Sequence, residues 1–146
     1  MRAVSVVPGK REVRLIEHPT PAITGAYDIK IRTLDVGICG TDKEICTFVY
    51  GSPPSGFDYL VLGHECLGQV VEVGSAVSVF RPGDLVVPSV RRPCPHPNCR
   101  PCRVDLQDFC ATGDFTERGI KMTHGFMTEY YVEEEKHLTF VPPELR

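Results

Sequence analysis

The sequence predicts a mainly β domain with short helices, folded as a partly open barrel that carries a four-cysteine zinc lobe. Three observations lead there. Gly and Pro each number 13 in 146 residues and are spread along the chain, which favours short strands and turns over long helices. Several segments alternate apolar and polar residues, the period of a half-buried strand. Cys94, Cys99, Cys102 and Cys110 follow a C-x4-C-x2-C-x7-C spacing, so their thiols can converge on one tetrahedral ion. Zinc held by four thiolates is a closed, structural site. Pro95, Pro97 and Pro101 stiffen the loop that must turn back to make it.

Taken in order, residues 3–7 read as a strand and Pro8-Gly9 as a turn. Residues 12–17 alternate, with Val13 and Leu15 on one face. A loop spans 19–25, and alternation resumes over 28–36, where the adjacent Thr33 and Leu34 leave the register open. Gly37-Ile38-Cys39-Gly40 is a loop. Thr41 with Glu44 has capping-box spacing, which predicts a short helix to about residue 48. A second loop covers 51–58, and 60–63 leads into His64-Glu65. Residues 67–73 form a strand that Gly74 ends, Pro82-Gly83 suits a type II turn, and 85–88 is another strand. Residues 104–109 allow a helical turn or two inside the cysteine lobe. Alternation returns over 126–132. Glu133-Glu134-Glu135-Lys136 reads as a solvated turn, and a last strand over 137–141 stops at Pro142-Pro143. The total is about eight short strands, mostly antiparallel, which a barrel can bury.

Composition excludes several classes. The length suits one domain with a real core. No apolar run reaches the roughly 20 residues of a membrane helix, and the start resembles no signal peptide. Seven cysteines without a secretory signal point to a reducing, cytoplasmic setting with thiols used for metal. A net charge of -3 gives no electrostatic footprint for nucleic acid.

Cys39, His64 and Glu65 form a second candidate metal set. Cys39 and the His64-Glu65 pair each lie in a glycine-bearing segment, Gly37-Ile38-Cys39-Gly40 and Leu62-Gly63-His64-Glu65, and glycine lets backbone approach a bound group closely. Thiolate, imidazole and carboxylate are all zinc ligands, and three of them with an open position make a catalytic arrangement. The competing readings are a small buried thiol at Cys39 and a hydrogen-bonded His64-Glu65 pair. Geometry sets a condition too. Neighbouring side chains on a regular strand point to opposite faces, so His64 and Glu65 share an ion only if the backbone turns there. Otherwise Glu65 orients a ligand from behind. For the four cysteines the alternatives are two disulfides or a redox pair at Cys99 and Cys102, and neither the missing signal peptide nor the lack of a βαβ context favours them. Thr41 is a helix N-cap by default, or a hydroxyl beside a metal-bound oxygen. Glu117 is a solvated loop carboxylate or a ligand for a polar substrate. His124, Cys46 and Cys66 read as structural.

Together these segments resemble a known family. Gly37-Ile-Cys-Gly-Thr-Asp42, Leu62-Gly-His-Glu-Cys-Leu-Gly68, Phe80-Arg-Pro-Gly-Asp-Leu-Val-Val87 and the cysteine lobe look like the N-terminal, GroES-like β-barrel domain of zinc-dependent medium-chain alcohol dehydrogenases. Val90-Arg-Arg-Pro93, Gly113-Asp-Phe-Thr-Glu-Arg-Gly-Ile120 and His124-Gly-Phe-Met-Thr-Glu129 are similar to the archaeal and bacterial glucose 1-dehydrogenase branch. The resemblance spans residues 1–146. It implies that Cys39, His64 and Glu65 hold a catalytic zinc and that Cys94, Cys99, Cys102 and Cys110 hold a structural one. It implies that Thr41 contacts the reacting sugar oxygen and relays its proton, and that Glu117 binds the sugar. The implied reaction is NAD- or NADP-dependent oxidation of a sugar hydroxyl, glucose to gluconolactone, by a cytoplasmic homo-oligomer that binds neither nucleic acid nor membrane.

Departures refine the expectation. Family lobes usually begin C-x2-C, whereas this one begins C-x4-C, so Cys94 is the ligand to check and His96 its substitute. Val90 stands where some relatives carry a sugar-binding Asn. No G-x-G-x-x-G fingerprint is present, so residues 1–146 are expected to be the catalytic and substrate domain, a fragment inactive without its Rossmann domain. Glu117 is expected to be a buried carboxylate left unpaired by a small apolar alcohol. The alternatives are a polyol, threonine or simple alcohol dehydrogenase, or a non-catalytic zinc-stabilised barrel.

Overall fold

Ile29 and Ile31, two residues apart, become the centre of the barrel. A computed structural model describes residues 1–145, so the domain end expected at Arg146 lies outside the described residues. Both isoleucines are fully buried on one face of β3 (Asp28–Gly37), packed with Val70, Phe80, Val86, Phe126 and Tyr131. β3 pairs antiparallel with β5 (Glu65–Val73), with a register shift between Thr33 and Asp35. Such a bulge moves the following side chains to the other face. It explains why the alternation falters at Thr33 and Leu34.

β1 (Arg2–Val7) lies between β2 (Glu12–Glu17) and β4 (Leu60–Val61) in one small sheet. The main sheet adds β6 (Leu85–Pro88), β10 (Tyr130–Glu134) and β11 (Leu138–Val141), in the order β10-β3-β5-β6-β11. A third sheet joins β7 (Arg91–Arg92), β8 (Thr116–Arg118) and β9 (Met122–Thr123). The Ala3–Thr128 bridge and the 2.9 Å bond from Val4 N–H to Met127 O tie the first sheet to the core. The result is a partly open barrel. It has eleven strands among the described residues, not about eight; β4, β7 and β9 are too short to show a period.

Other expectations are met or corrected locally. Gly83 has φ 101°, and Asp84 N–H bonds to Arg81 O at 3.1 Å, as a type II turn requires. Val13 and Leu15 stay exposed, because β2 is an edge strand with neither face covered. The lobe's helical turns are α2 (Arg100–Arg103) and a 3-10 turn at Gln107–Phe109. The short helix α1 is Gly40–Cys46, capped by Cys39 and not by Thr41. Its capping residues are Cys39, whose sulfur accepts from Thr41 N–H at 3.3 Å, and Asp42, whose Oδ2 accepts from Cys39 N–H at 2.9 Å.

The solvated turn expected over 133–136 is also corrected. Glu133 is buried at the end of β10, and its Oε2 accepts from Arg92 and from both Nε and Nη2 of Arg118. Glu135 receives the N–H groups of Ser78 and Val79 at 2.8 and 2.6 Å. A run of like charges reads as solvated in sequence; here β10 turns Glu133 inward to cations from two other strands, and Glu135 beyond it accepts backbone N–H groups.

Candidate metal centres

Cys39 leaves the end of β3 and caps α1, while His64 arrives just before β5, so the two meet at one end of the barrel. Cys39 Sγ and His64 Nε2 are 3.2 Å apart, and Glu65 Oε1 is 4.0 Å from the same nitrogen. One ligand atom from each residue falls within 4.8 Å of the others. The condition set by strand geometry is satisfied by backbone. Gly63 has φ 88°, a conformation other residues adopt at a cost, and the chain turns between it and β5. Gly37 stands directly across from Glu65 in the β3–β5 ladder. A Cβ at Gly37 would land on the Glu65 carboxylate. The missing side chain therefore lets Glu65 fold back toward Cys39 and His64.

Asp42 completes this set and was missed as a ligand-orienting residue. Its Oδ1 faces His64 Nδ1 at 3.5 Å, and both atoms are buried and otherwise without a hydrogen-bond partner. A proton on Nδ1 directed at Asp42 leaves the Nε2 lone pair pointing toward Cys39, the tautomer a metal needs. The Thr-Asp step after Cys39 carried the signal, since a carboxylate in the first turn of a helix whose cap is a ligand lies close behind that ligand. The residues present fit a three-ligand zinc site with an open position. Thr41 is half-buried in the same turn, and its hydroxyl is not consumed in capping.

The four cysteines form a separate cluster in the lobe. All are free thiols, and one sulfur from each lies within 4.8 Å of the rest. Cys99 and Cys110 Sγ are 3.9 Å apart. A tetrahedron with metal–sulfur bonds of about 2.3 Å has edges of roughly 3.8 Å, whereas a disulfide needs about 2.0 Å. Cys94 belongs to the cluster despite the longer spacing. His96 instead pairs with Asp114 at 2.5 Å on the exposed side of the loop. As bare thiols the cysteines are unequal. A hydrogen bond from the Thr112 hydroxyl brings Cys110 down to about 6. Cys102 is pushed up to about 12: the Cys94 N–H opposes the rise, but burial and the neighbouring sulfurs outweigh it. A divalent cation removes that competition by taking all four as thiolates.

Glu117 lies on β8, directly opposite Arg91 on β7. It is buried, but it does not wait for a substrate as its first partner. Arg91 Nε and Nη2 donate to Glu117 Oε1 at 3.0 and 2.8 Å. The expectation of an unpaired carboxylate is thus corrected. Gly119, two residues on, abuts Gly63, so Glu117's strand ends against the turn that presents His64. His124 is structural: its Nδ1 accepts from Val61 N–H at 3.1 Å within a cluster of His18, Phe57 and Tyr59. Cys66 is buried in the main core and Cys46 packs on the smaller one.

Residues 25–143 match the alcohol dehydrogenase GroES-like domain family. The chain is 46% identical over 147 residues to a glucose 1-dehydrogenase of Methanocella arvoryzae, covering 100% of this chain and 40% of that protein. It superposes on the Haloferax mediterranei glucose dehydrogenase solved with NADP, Zn and gluconolactone, with a TM-score of 0.87 and 38% identity, covering 99% of this chain and 40% of that one. A Thermus alcohol dehydrogenase gives a TM-score of 0.76 at 28% identity, covering 98% of this chain and 40% of that one. The chain therefore spans about 40% of the length of the curated relatives it matches.

Proposed function

The chain belongs to the alcohol dehydrogenase GroES-like domain family, and from that premise we propose that it is the catalytic domain of a zinc-dependent NAD(P) oxidoreductase that oxidises a sugar hydroxyl, glucose to gluconolactone. The observation that carries this reading is that ligand atoms of Cys39, His64 and Glu65 come within 4.8 Å of one another, with a separate four-thiol cluster elsewhere. A barrel needing only a staple has no use for the first set. The Haloferax protein with NADP, Zn and gluconolactone supports the substrate class.

Cys39, His64 and Glu65 would hold the catalytic zinc, and Cys94, Cys99, Cys102 and Cys110 the structural one. Zinc at the first site supplies Lewis acidity that lowers the pKa of a nearby hydroxyl. Asp42 keeps His64 in the ligating tautomer. Thr41, in the first turn after Cys39, takes the proton of the reacting hydroxyl and passes it toward solvent. Glu117 accepts hydrogen bonds from other sugar hydroxyls and fixes the ring. NAD or NADP, held by a second domain of the whole protein, would supply the hydride acceptor for C1, with the lactone as product. We assign residues 1–146 to substrate and metal binding and the nicotinamide site to a second domain of the whole protein. The free thiols suit a reducing compartment, and we place the protein in the cytoplasm as a homo-oligomer.

One observation favours a second reading, a polyol or simple alcohol dehydrogenase. Glu117 is already neutralised by Arg91, so a substrate with few hydroxyls does not strand a lone buried charge. Initial rates with a panel of aldoses, polyols and aliphatic alcohols separate the two. Turnover of aldoses with release of lactone is expected; turnover of aliphatic alcohols alone would overturn the sugar reading.

A further inference from the structure

We propose that Arg91 is a positioning residue that ties Glu117 to the cysteine lobe, so that the folded lobe sets the affinity for a polyhydroxylated substrate. The inference rests on the sugar reading above and extends it to a residue and a lobe with no assigned part in binding.

The guanidinium has two arms in use. Nε and Nη2 hold Glu117 Oε1, and Nη1 donates to Asp108 O at 3.1 Å and lies 3.5 Å from Asp108 Oδ1. Its Cζ lies 4.0 Å from the Phe115 ring centroid, a cation–π contact that helps hold the guanidinium in place. Asp108 belongs to the 3-10 turn Gln107–Phe109, which runs directly into Cys110, a thiol of the four-cysteine cluster. The path from the lobe to the substrate carboxylate is therefore Cys110, the turn, Arg91 and Glu117. The strands that carry Arg91 and Glu117 pair at only Arg91–Glu117 and Arg92–Thr116.

The surrounding space agrees. Ser89, Val90, Arg91, Gln107, Asp108 and Glu117 line a cleft of about 310 Å³, the small end of the range for ligand sites. Arg91 engages one Glu117 oxygen and leaves Oε2 to a ligand. Gln107 Oε1 is a buried acceptor without a partner among the described residues. A carboxylate oxygen and an amide oxygen in one cleft suit a ligand that donates several hydroxyls. Gln107 comes from the lobe, as Asp108 does, so the lobe supplies both an acceptor and the anchor. Lysine cannot replace this link, since one ammonium lacks the planar fork that reaches two partners at once.

The test uses the full protein and two readouts: equilibrium glucose binding by NMR titration without nicotinamide, and steady-state kinetics. Glu117→Gln should weaken glucose binding by about tenfold or more. Arg91→Met should raise Kd and KM by about tenfold while kcat stays within about twofold. The double variant should match Glu117→Gln alone, because Arg91 acts through Glu117. Arg91→Lys should bind as weakly as Arg91→Met, and if the Met variant does not fold it carries the test. Cys110→Ser, which opens the four-thiol cluster and leaves the Cys39 set intact, should weaken glucose binding by a larger factor in the parent than in Arg91→Met. Unaltered glucose affinity in Arg91→Met, full rescue by lysine, or additive effects in the double variant would overturn the proposal. An unaltered affinity in Glu117→Gln would instead overturn the sugar reading on which it rests.

Discussion

Gly37 contributes no side chain, and that absence decides where Glu65 goes. Any Cβ at this position meets the Glu65 carboxylate across the ladder. Gly37→Ala is expected to expel Glu65 from the three-ligand site and weaken its zinc by about 10- to 100-fold, the size of effect seen when ligand-supporting groups are lost. Asp42→Asn should act in the same range by removing the charge behind His64. Competition titration against a chelator of known affinity checks both, and the four-thiol site should be unaffected in each. His124 carries a different prediction. Burial above all, then the nearby His18 and Arg118 charges, lowers it from 6.5 to about 4. Its Nδ1 already accepts from Val61 N–H, so a proton there has no place in the fold. The unfolded chain then binds the proton first as pH falls. The contribution to stability is complete above about 6.5 and declines from there toward about 4. Denaturation midpoints over that window should slope downward, and His124→Gln should flatten the slope.

At the scale of elements, β7, β8 and β10 are joined by one buried carboxylate. Glu133 on β10 meets Arg92 from β7 and Arg118 from β8, and Arg118 also donates to the carbonyls of His124 and Val132 at 3.2 and 2.6 Å. Burial by itself would raise the Glu133 carboxyl, but the Arg118 and Arg92 guanidiniums outweigh it and hold the group below the ordinary Glu range. A depressed carboxyl stabilises the fold above its unfolded pKa, and that stability is lost as pH falls through the folded value. Glu133→Gln leaves two cations without their counter-charge and should cost on the order of 3 kcal/mol, the range for breaking a buried pair. Urea denaturation at neutral pH measures the cost. At acid pH the parent should converge on the variant. This network was illegible in the sequence because Glu133 sits in a run of acidic residues, and nothing local marks which one faces inward. The β3 strand was legible, since Ile29 and Ile31 state the period outright, and only the bulge at Thr33 required the partner strand.

For the whole molecule, the two metal sites differ in closure. The cysteine lobe would surround an ion with four thiols, whereas the Cys39 set offers three side chains, one of them the largely exposed Glu65. Under increasing chelator the Cys39 site should empty first and the lobe last, as native mass spectrometry resolves by counting bound zinc. Loss of the first ion should leave the unfolding midpoint nearly unchanged. Loss of the second should lower it by about 10 °C or more, because each kcal/mol shifts a domain of this size by about 2–8 °C and structural zinc is itself folding energy. Simultaneous release of both ions would contradict this division.

The mainly β class, the four-cysteine spacing and the family were legible in residue type, period and local spacing, and Cys39 with His64-Glu65 stood out as a second candidate ligand set. Those signals need no knowledge of what lies across the barrel. Tertiary structure alone decided that Cys94 closes the lobe while His96 turns to Asp114, that Gly37 makes room for Glu65, and that Asp42 stands behind His64. It also decided that Glu117 is held by Arg91 and that Glu133 is buried between two arginines. The physical reason is common to all of these. A charge or a ligand is defined by the atoms that face it. In a barrel of short strands those atoms come from distant parts of the chain, where no period links them.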